Sequence, residues 1–305
     1  MYRRVLFIGS KALGLAVLKL MHELSPETLI GCVTIDDSDD GRSELEAIKG
    51  FCEDNSVPYE VLSGRCDITG PIDRFMPDLC FVVGWYHIIP ENLLGKVSGG
   101  FIGIHDSLLP SHRGFAPVVW AMIAGEKETG FSVFSFDRGM DTGKIWYQEK
   151  VGISENDYVS DVLAKLEAKT EGFFRNHYRE LTAGELRPKE QESEGVSYGA
   201  MRTPDDGLID WREDARTIRN FIRAQSQPYP GAFTFYRGEK LTILRADVFP
   251  YPIQGSPGQI GMIDPDDGSV VVVCGKNTGI RIPGFSSDDG KEKTVKIRSL
   301  KDRLG

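Results

Sequence analysis

Apolar residues in the first third of the chain follow two alternating patterns. Residues 4–9 (RVLFIG), 28–35 (TLIGCVTI), 78–84 (DLCFVVG) and 100–104 (GFIGI) are short, nearly continuous apolar runs bounded by turn residues. Such runs suit strands buried on both faces of a parallel sheet. Between them, Leu13, Val17, Leu20 and Met21 recur at helical spacing, as do Leu45, Ile48, Phe51 and Cys52 within 43–54. Strand and helix in alternation predict an α/β fold, with a Rossmann-like, mostly parallel sheet and helices on both faces.

The pattern changes after Asp141. Residues 144–151 (KIWYQEKV) read as an antiparallel strand, and 157–182 as a long helix. Val159, Val162, Leu163, Leu166, Thr170, Phe173, Phe174 and Leu181 form its apolar stripe, and Ser154 with Asp157 form a capping pair at its start. His177 falls on the stripe and is expected to be packed. Residues 185–196 (ELRPKEQESEGV) are polar and read as a linker, which divides the chain into domains at 1–190 and 197–305. The second part has one helix, 214–225, with Ile218, Phe221 and Ile222 facing inward. Short runs at 231–237, 240–248, 258–263, 269–274, 278–282 and 293–298 follow, separated by Gly and Pro. That spacing predicts a small OB-like β-barrel.

Composition narrows the function classes. With 305 residues the chain suits two cores better than one. No apolar run reaches the roughly 18–20 residues of a membrane helix. Ser10 and Lys11 interrupt the apolar N-terminal stretch, so a first strand and helix explain it better than a signal segment. The cysteines, Cys32, Cys52, Cys66, Cys80 and Cys274, are odd in number and include no CxxC pair. Free thiols in the cytoplasm are the expectation. No His/Cys/carboxylate cluster has metal-ligand spacing, so no metal is expected. The net charge of −9 and the acidic run Asp36, Asp37, Asp39, Asp40 weigh against a nucleic-acid partner, which calls for a basic face.

The chemistry gathers in 101–117, FIGIHDSLLPSHRGFAP. A strand ends at Ile104, and polar residues begin where its carboxyl end lies, the place where open α/β sheets bind ligands. His105 leads this cluster. Arg113-Gly114 then opens a helix with Ala116, Val119, Trp120 and Ile123 as its apolar face. Further on, DRGMDTGKI presents Asp137, Arg138 and Asp141 in a turn-rich setting. His105 with Asp141 is a candidate acid–base pair, because a carboxylate orients an imidazole and stabilises its protonated form. Ser10 and Lys11, after the first strand, are a candidate anion site at a helix N-terminus. They lack the GxGxxG or Walker spacing of a nucleotide-cofactor motif. Arg113 is a candidate for a carboxylate or phosphate, or caps the following loop. His22 is expected on the surface, and His87 in a structural role.

Residues 101–117 resemble the signature of N10-formyltetrahydrofolate-dependent formyltransferases, N-(I/V/L)-H-x-S-L-L-P followed by Arg-Gly. Met140-Asp141-Thr142-Gly143 matches that family's second signature. FVVGWYHIIP at 81–90 looks like its folate-lining segment, and RTPDDGLIDW at 202–211 and QPYPGAFTFY at 227–236 resemble its C-terminal half. The resemblance covers essentially the whole chain. It is strongest to sugar-nucleotide formyltransferases, including the formyltransferase domain of the bifunctional aminoarabinose enzyme, and extends to methionyl-tRNA formyltransferase.

The resemblance implies formyl transfer from N10-formyltetrahydrofolate to the amine of a nucleotide-linked amino sugar. It gives His105 and Asp141 catalytic roles in proton transfer and oxyanion stabilisation. It places Trp85, Tyr86, Ile88, Ile89, Arg138, Gly139 and Met140 around the folate. Ser10, Lys11 and Arg113 remain the acceptor candidates by their positions alone, with a solvent-exposed turn as the other reading of Ser10 and Lys11. Relatives of this kind use the second domain to shape a homodimer or the acceptor's surroundings, and both readings stay open. Glycinamide ribonucleotide formylation fits less well, because that enzyme resembles only the first domain. One residue departs from the pattern. The signature's asparagine, an oxyanion donor, falls on Gly103. Losing one such donor costs about 2.7–4 kcal/mol of transition-state stabilisation. A slow enzyme with a substitute donor, a silent folate- or sugar-nucleotide-binding relative, and a site adapted to another acyl donor all stay open.

Overall fold

The structure is a computed structural model, and it describes residues 1–64, 66–287 and 297–305. It divides into two compact units. The first comprises 1–114, 130–151 and 164–198, and the second 115–129, 152–163 and 199–305.

A seven-stranded sheet runs through the first unit. Its strands are β1 (Val5–Gly9), β2 (Leu29–Ile35), β3 (Tyr59–Leu62), β4 (Leu79–Val83), β5 (Phe101–His105), β7 (Glu128–Ser135) and β8 (Ile145–Gly152), in the order β3-β2-β1-β4-β5-β7-β8. The pairs β1–β2, β2–β3, β1–β4 and β4–β5 are parallel, whereas β5–β7 is antiparallel. Two-residue β6 (Arg113–Gly114) pairs with β9 (Tyr198–Gly199). The mostly parallel sheet matches the expectation from the sequence. Strand β7, ETGFSVFS, is the one the apolar pattern misses. Its Thr129 and Ser132 are buried, so a central strand carries polar residues.

Helices α1 (Lys11–Leu24), α2 (Leu45–Asp54), α3 (Thr69–Phe75), α4 (Glu91–Leu94) and most of α6 (Val159–Ala183) accompany this sheet. Alternate residues of one strand serve opposite faces. Leu6, Ile8, Cys80 and Val82 join one core with Ile72 and Phe75 of α3 and Leu93 of α4. Phe81 points the other way, edge-on to Phe174 of α6 with ring centroids 5.1 Å apart. His22 is half-buried, edge-on to Phe51 at 5.6 Å, which corrects its expected surface position.

The second unit holds α5 (Pro117–Ala124), α7 (Ala215–Gln225) and two antiparallel sheets. One sheet orders β10 (Ala232–Tyr236), β11 (Glu239–Ile243) and β16 (Ser286–Ser287). The other orders β12 (Asp247–Phe249), β15 (Gly279–Ile282), β14 (Val270–Val273) and β13 (Ile260–Ile263). Leu241, Ile243, Val270, Val272, Ile280 and Ile282 meet Ile218 and Ile222 of α7 in one core. The single strand expected over 240–248 is two strands, because the chain changes sheets at 244–246. Of the strand expected over 293–298, residues 293–296 lie outside the described residues, and 297–298 are not in a strand.

The expected apolar face of α5 is also corrected. Val118, Val119, Ala121 and Met122 are its buried residues, and of the expected four only Val119 is among them. Nearly every position of this short helix is apolar, so periodicity carries no signal and packing against α7 selects the face. Arg223 of α7 is buried, and its guanidinium donates to the carbonyls of Ser154 and Asp157 at 2.9 Å each.

Helix α7 has a well-formed start. Asp214 accepts from Arg216 N at 3.1 Å and Thr217 N at 3.0 Å, and Lys276 Nζ lies 3.0 Å from its carboxylate. The Thr217 amide and then Lys276 hold its carboxyl below the ordinary 3.8. A depressed carboxyl stabilises the fold above its unfolded value and loses that contribution as pH falls through the folded value. Asp214→Ala is therefore expected to cost about 1 kcal/mol at pH 7. Thermal unfolding should show the gap to wild type closing as pH falls below 3.8.

Candidate active site

The parallel strands end at one edge of the first unit's sheet, and several of the predicted site residues follow those ends. Strand β5 ends in His105, β4 is followed by Gly84 and Trp85, and β1 is followed by Ser10. His105 is buried, and its Nε2 lies 2.7 Å from His112 O. A carbonyl only accepts, so Nε2 carries a proton. Nδ1 then faces Asp141 Oδ2 at 3.7 Å. That is ion-pair range, longer than a hydrogen bond, and catalytic contacts in unliganded sites commonly tighten when substrate binds.

Asp141 sits in a strained turn. Its φ is 54°, in the left-handed region that non-glycine residues avoid. Asp137 braces the turn by accepting from Gly139 N at 3.0 Å and Thr142 Oγ1 at 2.6 Å. Gly143 lies so close to Ser135 O that a Cβ would be 1.8 Å from it. Asp141 Oδ2 also accepts from Gly114 N at 2.7 Å, which links the two signature loops.

The return from His105 is organised by Ser132 of β7, a residue the sequence reading missed. Ser132 is fully buried and pairs with His105 in register. Its Oγ donates to Ser107 O at 2.6 Å and accepts from Leu109 N at 3.0 Å and Gln148 Nε2 at 2.8 Å. Gln148 donates to Leu109 O as well, at 2.8 Å. A serine inside a strand gives no sequence signal for this role.

The folate-segment residues divide. Trp85 is half-buried, and its Nε1 is buried without a hydrogen-bond partner. Such an orphaned donor is unusual in a finished core and suits a ligand acceptor. Tyr86, Ile88 and Met140 are exposed, Ile88 at 93%. Ile89 is instead a core residue beside Leu93. Arg138 and Gly139 are exposed, and Arg138 pairs with Glu91 of α4 at 2.6 Å.

The acceptor candidates divide too. Arg113 is buried. It donates through Nε and Nη2 to Gln191 Oε1, at 3.1 and 2.6 Å, and through Nη1 to Tyr198 Oη at 3.1 Å. Ser10 is closed off, with its Oγ on Gly84 O at 2.8 Å. Lys11 contacts Asp37 at 2.6 Å and Asp40 at 2.9 Å. Burial works to lower the Lys11 pKa, and the two carboxylates outweigh it and raise the value. An ammonium held this way is a poor free anion receptor. The acidic run is therefore partly neutralised inside the protein.

Gly103, at the place of the signature asparagine, pairs with Val82 and Phe134 in the sheet. A Cβ there would lie 2.4 Å from Phe136 Cε2 and 3.0 Å from Val82 O. Phe136 stacks on Phe134 at 5.1 Å and thereby occupies the space beside Gly103. Asp106, next to His105, was also missed, although it fills the variable position of the signature. Its Oδ1 is buried without a partner. Burial raises its pKa, while neighbouring His105 pulls the other way.

Comparison with known proteins identifies the family. Residues 58–175 match the formyl transferase family, and 202–299 match the formyl transferase C-terminal domain. A methionyl-tRNA formyltransferase of Caldanaerobacter subterraneus is 31% identical over 302 residues, covering 96% of this chain and 95% of that protein. The chain belongs to the formyl transferase family. Two solved structures share the fold of this formyl transferase at low identity. An N-formyltransferase from Helicobacter canadensis, in complex with folinic acid and dTDP-3-aminofucose, has a TM-score of 0.69 at 16% identity, over 92% of this chain and 99% of that one. The sugar 3N-formyl transferase WlaRD, with dTDP and 5-N-formyl-THF, has a TM-score of 0.67 at 17% identity, over 92% of this chain and 96% of that one.

Two predictions follow from the packing around His105. Gly103→Asn alone is expected to destabilise by about 1–3 kcal/mol through overpacking and to bring no gain in turnover. Gly103→Asn with Phe136→Ala gives the new side chain room and should recover turnover relative to Phe136→Ala. A wild-type melting temperature for the single variant would show that Phe136 does not block the position. The second concerns Asp106. Its raised pKa means that the fold loses stability as pH rises above the ordinary 3.8. Asp106→Asn should then melt higher than wild type at pH 7, and the difference should vanish below pH 3.8.

Proposed function

We propose that this protein transfers a formyl group from N10-formyltetrahydrofolate to the amine of a nucleotide-linked amino sugar. The observation that carries the reading is His105 facing Asp141 at the carboxyl edge of the parallel sheet. The orphaned Trp85 Nε1 on the neighbouring strand end supports a folate seat there.

In this reading the acceptor amine attacks the formyl carbon, a C–N bond forms, and the carbonyl oxygen becomes an oxyanion. The amine's proton passes to His105. The proton goes to Nδ1, since Nε2 already donates to His112 O, and Asp141 stabilises the imidazolium, whose Nδ1–H then stands as the donor to the oxyanion. Collapse breaks the bond to folate N10, and His105 returns the proton to the leaving nitrogen. Gly103 has no side chain to share the oxyanion, so His105 bears more of that duty than it would beside an asparagine. Tyr86, Ile88 and Met140 offer exposed apolar surface for the pterin, with Arg138 and Gly139 alongside. Arg113, buried on Gln191 and Tyr198, braces the loop after His105 instead of receiving the acceptor.

The net charge of −9 and the sugar-nucleotide ligand of the Helicobacter canadensis structure favour a small acceptor. The 31% identity to a methionyl-tRNA formyltransferase over nearly the whole chain favours methionyl-tRNA as the second reading. The test offers 10-formyltetrahydrofolate with dTDP-linked amino sugars and, separately, with methionyl-tRNA, and follows tetrahydrofolate release. Turnover with a sugar nucleotide supports the first reading. Turnover only with tRNA replaces it, and folate binding without any product leaves a silent relative. His105→Asn and Asp141→Asn are each expected to lower turnover by about 100- to 10,000-fold, while calorimetry shows 5-formyltetrahydrofolate binding retained.

A further inference from the structure

The stretch read as a linker is anchored to the site. Lys189 exchanges backbone hydrogen bonds with Ile145, 2.8 Å in each direction. Ser111 Oγ donates to Gly195 O at 2.9 Å, His112 N to Ser197 Oγ at 2.8 Å, and Arg113 N to Ser197 O at 2.9 Å. The segment 189–197 thus runs as a strap, stitched to the loop after His105 and to the strand that follows the Asp141 turn.

Gln191 is the one side chain of the strap with hydrogen bonds to both loops among the described residues. Its Oε1 takes two N–H groups of Arg113, at 3.1 and 2.6 Å. Its Nε2 donates to Asp141 O at 2.7 Å and Gly143 O at 2.8 Å. A carboxamide suits this place because it has an acceptor at one end and two donors at the other. A carboxylate would still serve Arg113 but would set negative charge against two carbonyl oxygens.

We infer that Gln191 is a positioning residue, a clamp that fixes the Asp141 turn against the Arg113 loop and so aims the Asp141 carboxylate at His105. Asp141 holds a left-handed φ of 54°, and strain of that kind persists only where the surroundings over-determine it. The amide of Gly114 reports the aim directly, because it donates to the same Asp141 Oδ2 that faces His105. The consequence for turnover rests on the formyl-transfer reading, whereas the clamp itself does not.

The experiment compares wild type, Gln191→Ala and Gln191→Glu by amide hydrogen exchange and by steady-state kinetics. Exchange at Gly114 should speed up on the order of tenfold in both variants, with exchange at Val82 in the core of β4 unchanged. In the same variants kcat should fall on the order of tenfold or more, as a displaced positioning group implies, with KM for the folate within about twofold. Unchanged protection at Gly114 in a folded variant overturns the inference. So does faster Gly114 exchange with unaltered kcat. Should wild type transfer no formyl group to any acceptor, the functional reading fails by itself, and Gly114 exchange still decides whether Gln191 holds the turn.

Discussion

The site depends on the antiparallel register between β5 and β7. That register sets His105 opposite Ser132 and Gly103 opposite Phe134. Because Ser132 is opposite His105, its buried hydroxyl can tie both Ser107 O and Leu109 N, and the chain leaving the histidine folds back at once. Only after that return does His112 O reach His105 Nε2, and only then does Gly114 N reach Asp141. A slip of one residue would turn every side chain of β7 to the opposite face. It would remove the serine and place a large apolar residue, Phe131 or Val133, against the loop. The polar bonds of the site are thus consequences of one strand pairing.

The same pairing explains how the chain accommodates a glycine at the asparagine position. Position 103 lies in the middle of β5, between β4 and β7, with Val82 O on one side. Phe136 folds over the backbone where a side chain would stand and stacks on Phe134. The glycine and the phenylalanine therefore form a packed pair, so the departure from the signature involves two positions. A missing donor at position 103 shifts the electrostatic work to groups still at the strand end. His105 is one, with its Nε2 proton fixed by His112 O and its other nitrogen toward Asp141.

Much of this was legible in the sequence wherever one force dominated. Strands β1, β2, β4 and β5 are buried on both faces, so their apolar runs are almost unbroken. His105 and Asp141 were legible because a strand end and a glycine-rich turn mark where polar side chains gather. The rest depends on contacts distant in sequence. Gln191 is 78 positions from Arg113 and lies among charged residues that read as solvated. Nothing local distinguishes a glutamine in a strap from one in a linker. Strand β7 escaped because its buried Ser132 is satisfied by partners that only the fold provides. An apolar residue after a strand suits a pocket and a core equally, and the fold buries Ile89 in the core.

The acidic run after β2 carries a similar lesson for the choice of acceptor. Read as sequence, Asp36, Asp37, Asp39 and Asp40 make a local field that repels phosphate. In the fold, Lys11 contacts Asp37 and Asp40, and Arg42 pairs with Asp40 at 2.7 Å. Two cations thus offset two of the four carboxylates. Arg42 and then Lys11 hold the Asp40 carboxyl well below its ordinary range against the opposing effect of burial, so these charges are settled at neutral pH. What remains against an RNA acceptor is the whole-chain charge of −9, a long-range effect that salt screens within about 10 Å at 0.1 M. Local phosphate contacts can outweigh such a field, because each releases counterions and strengthens binding at low salt. The salt dependence of acceptor binding therefore separates the two acceptors better than net charge does. A steep loss of tRNA affinity with rising salt marks built phosphate contacts, and a sugar nucleotide, with few charges, shows a shallow one.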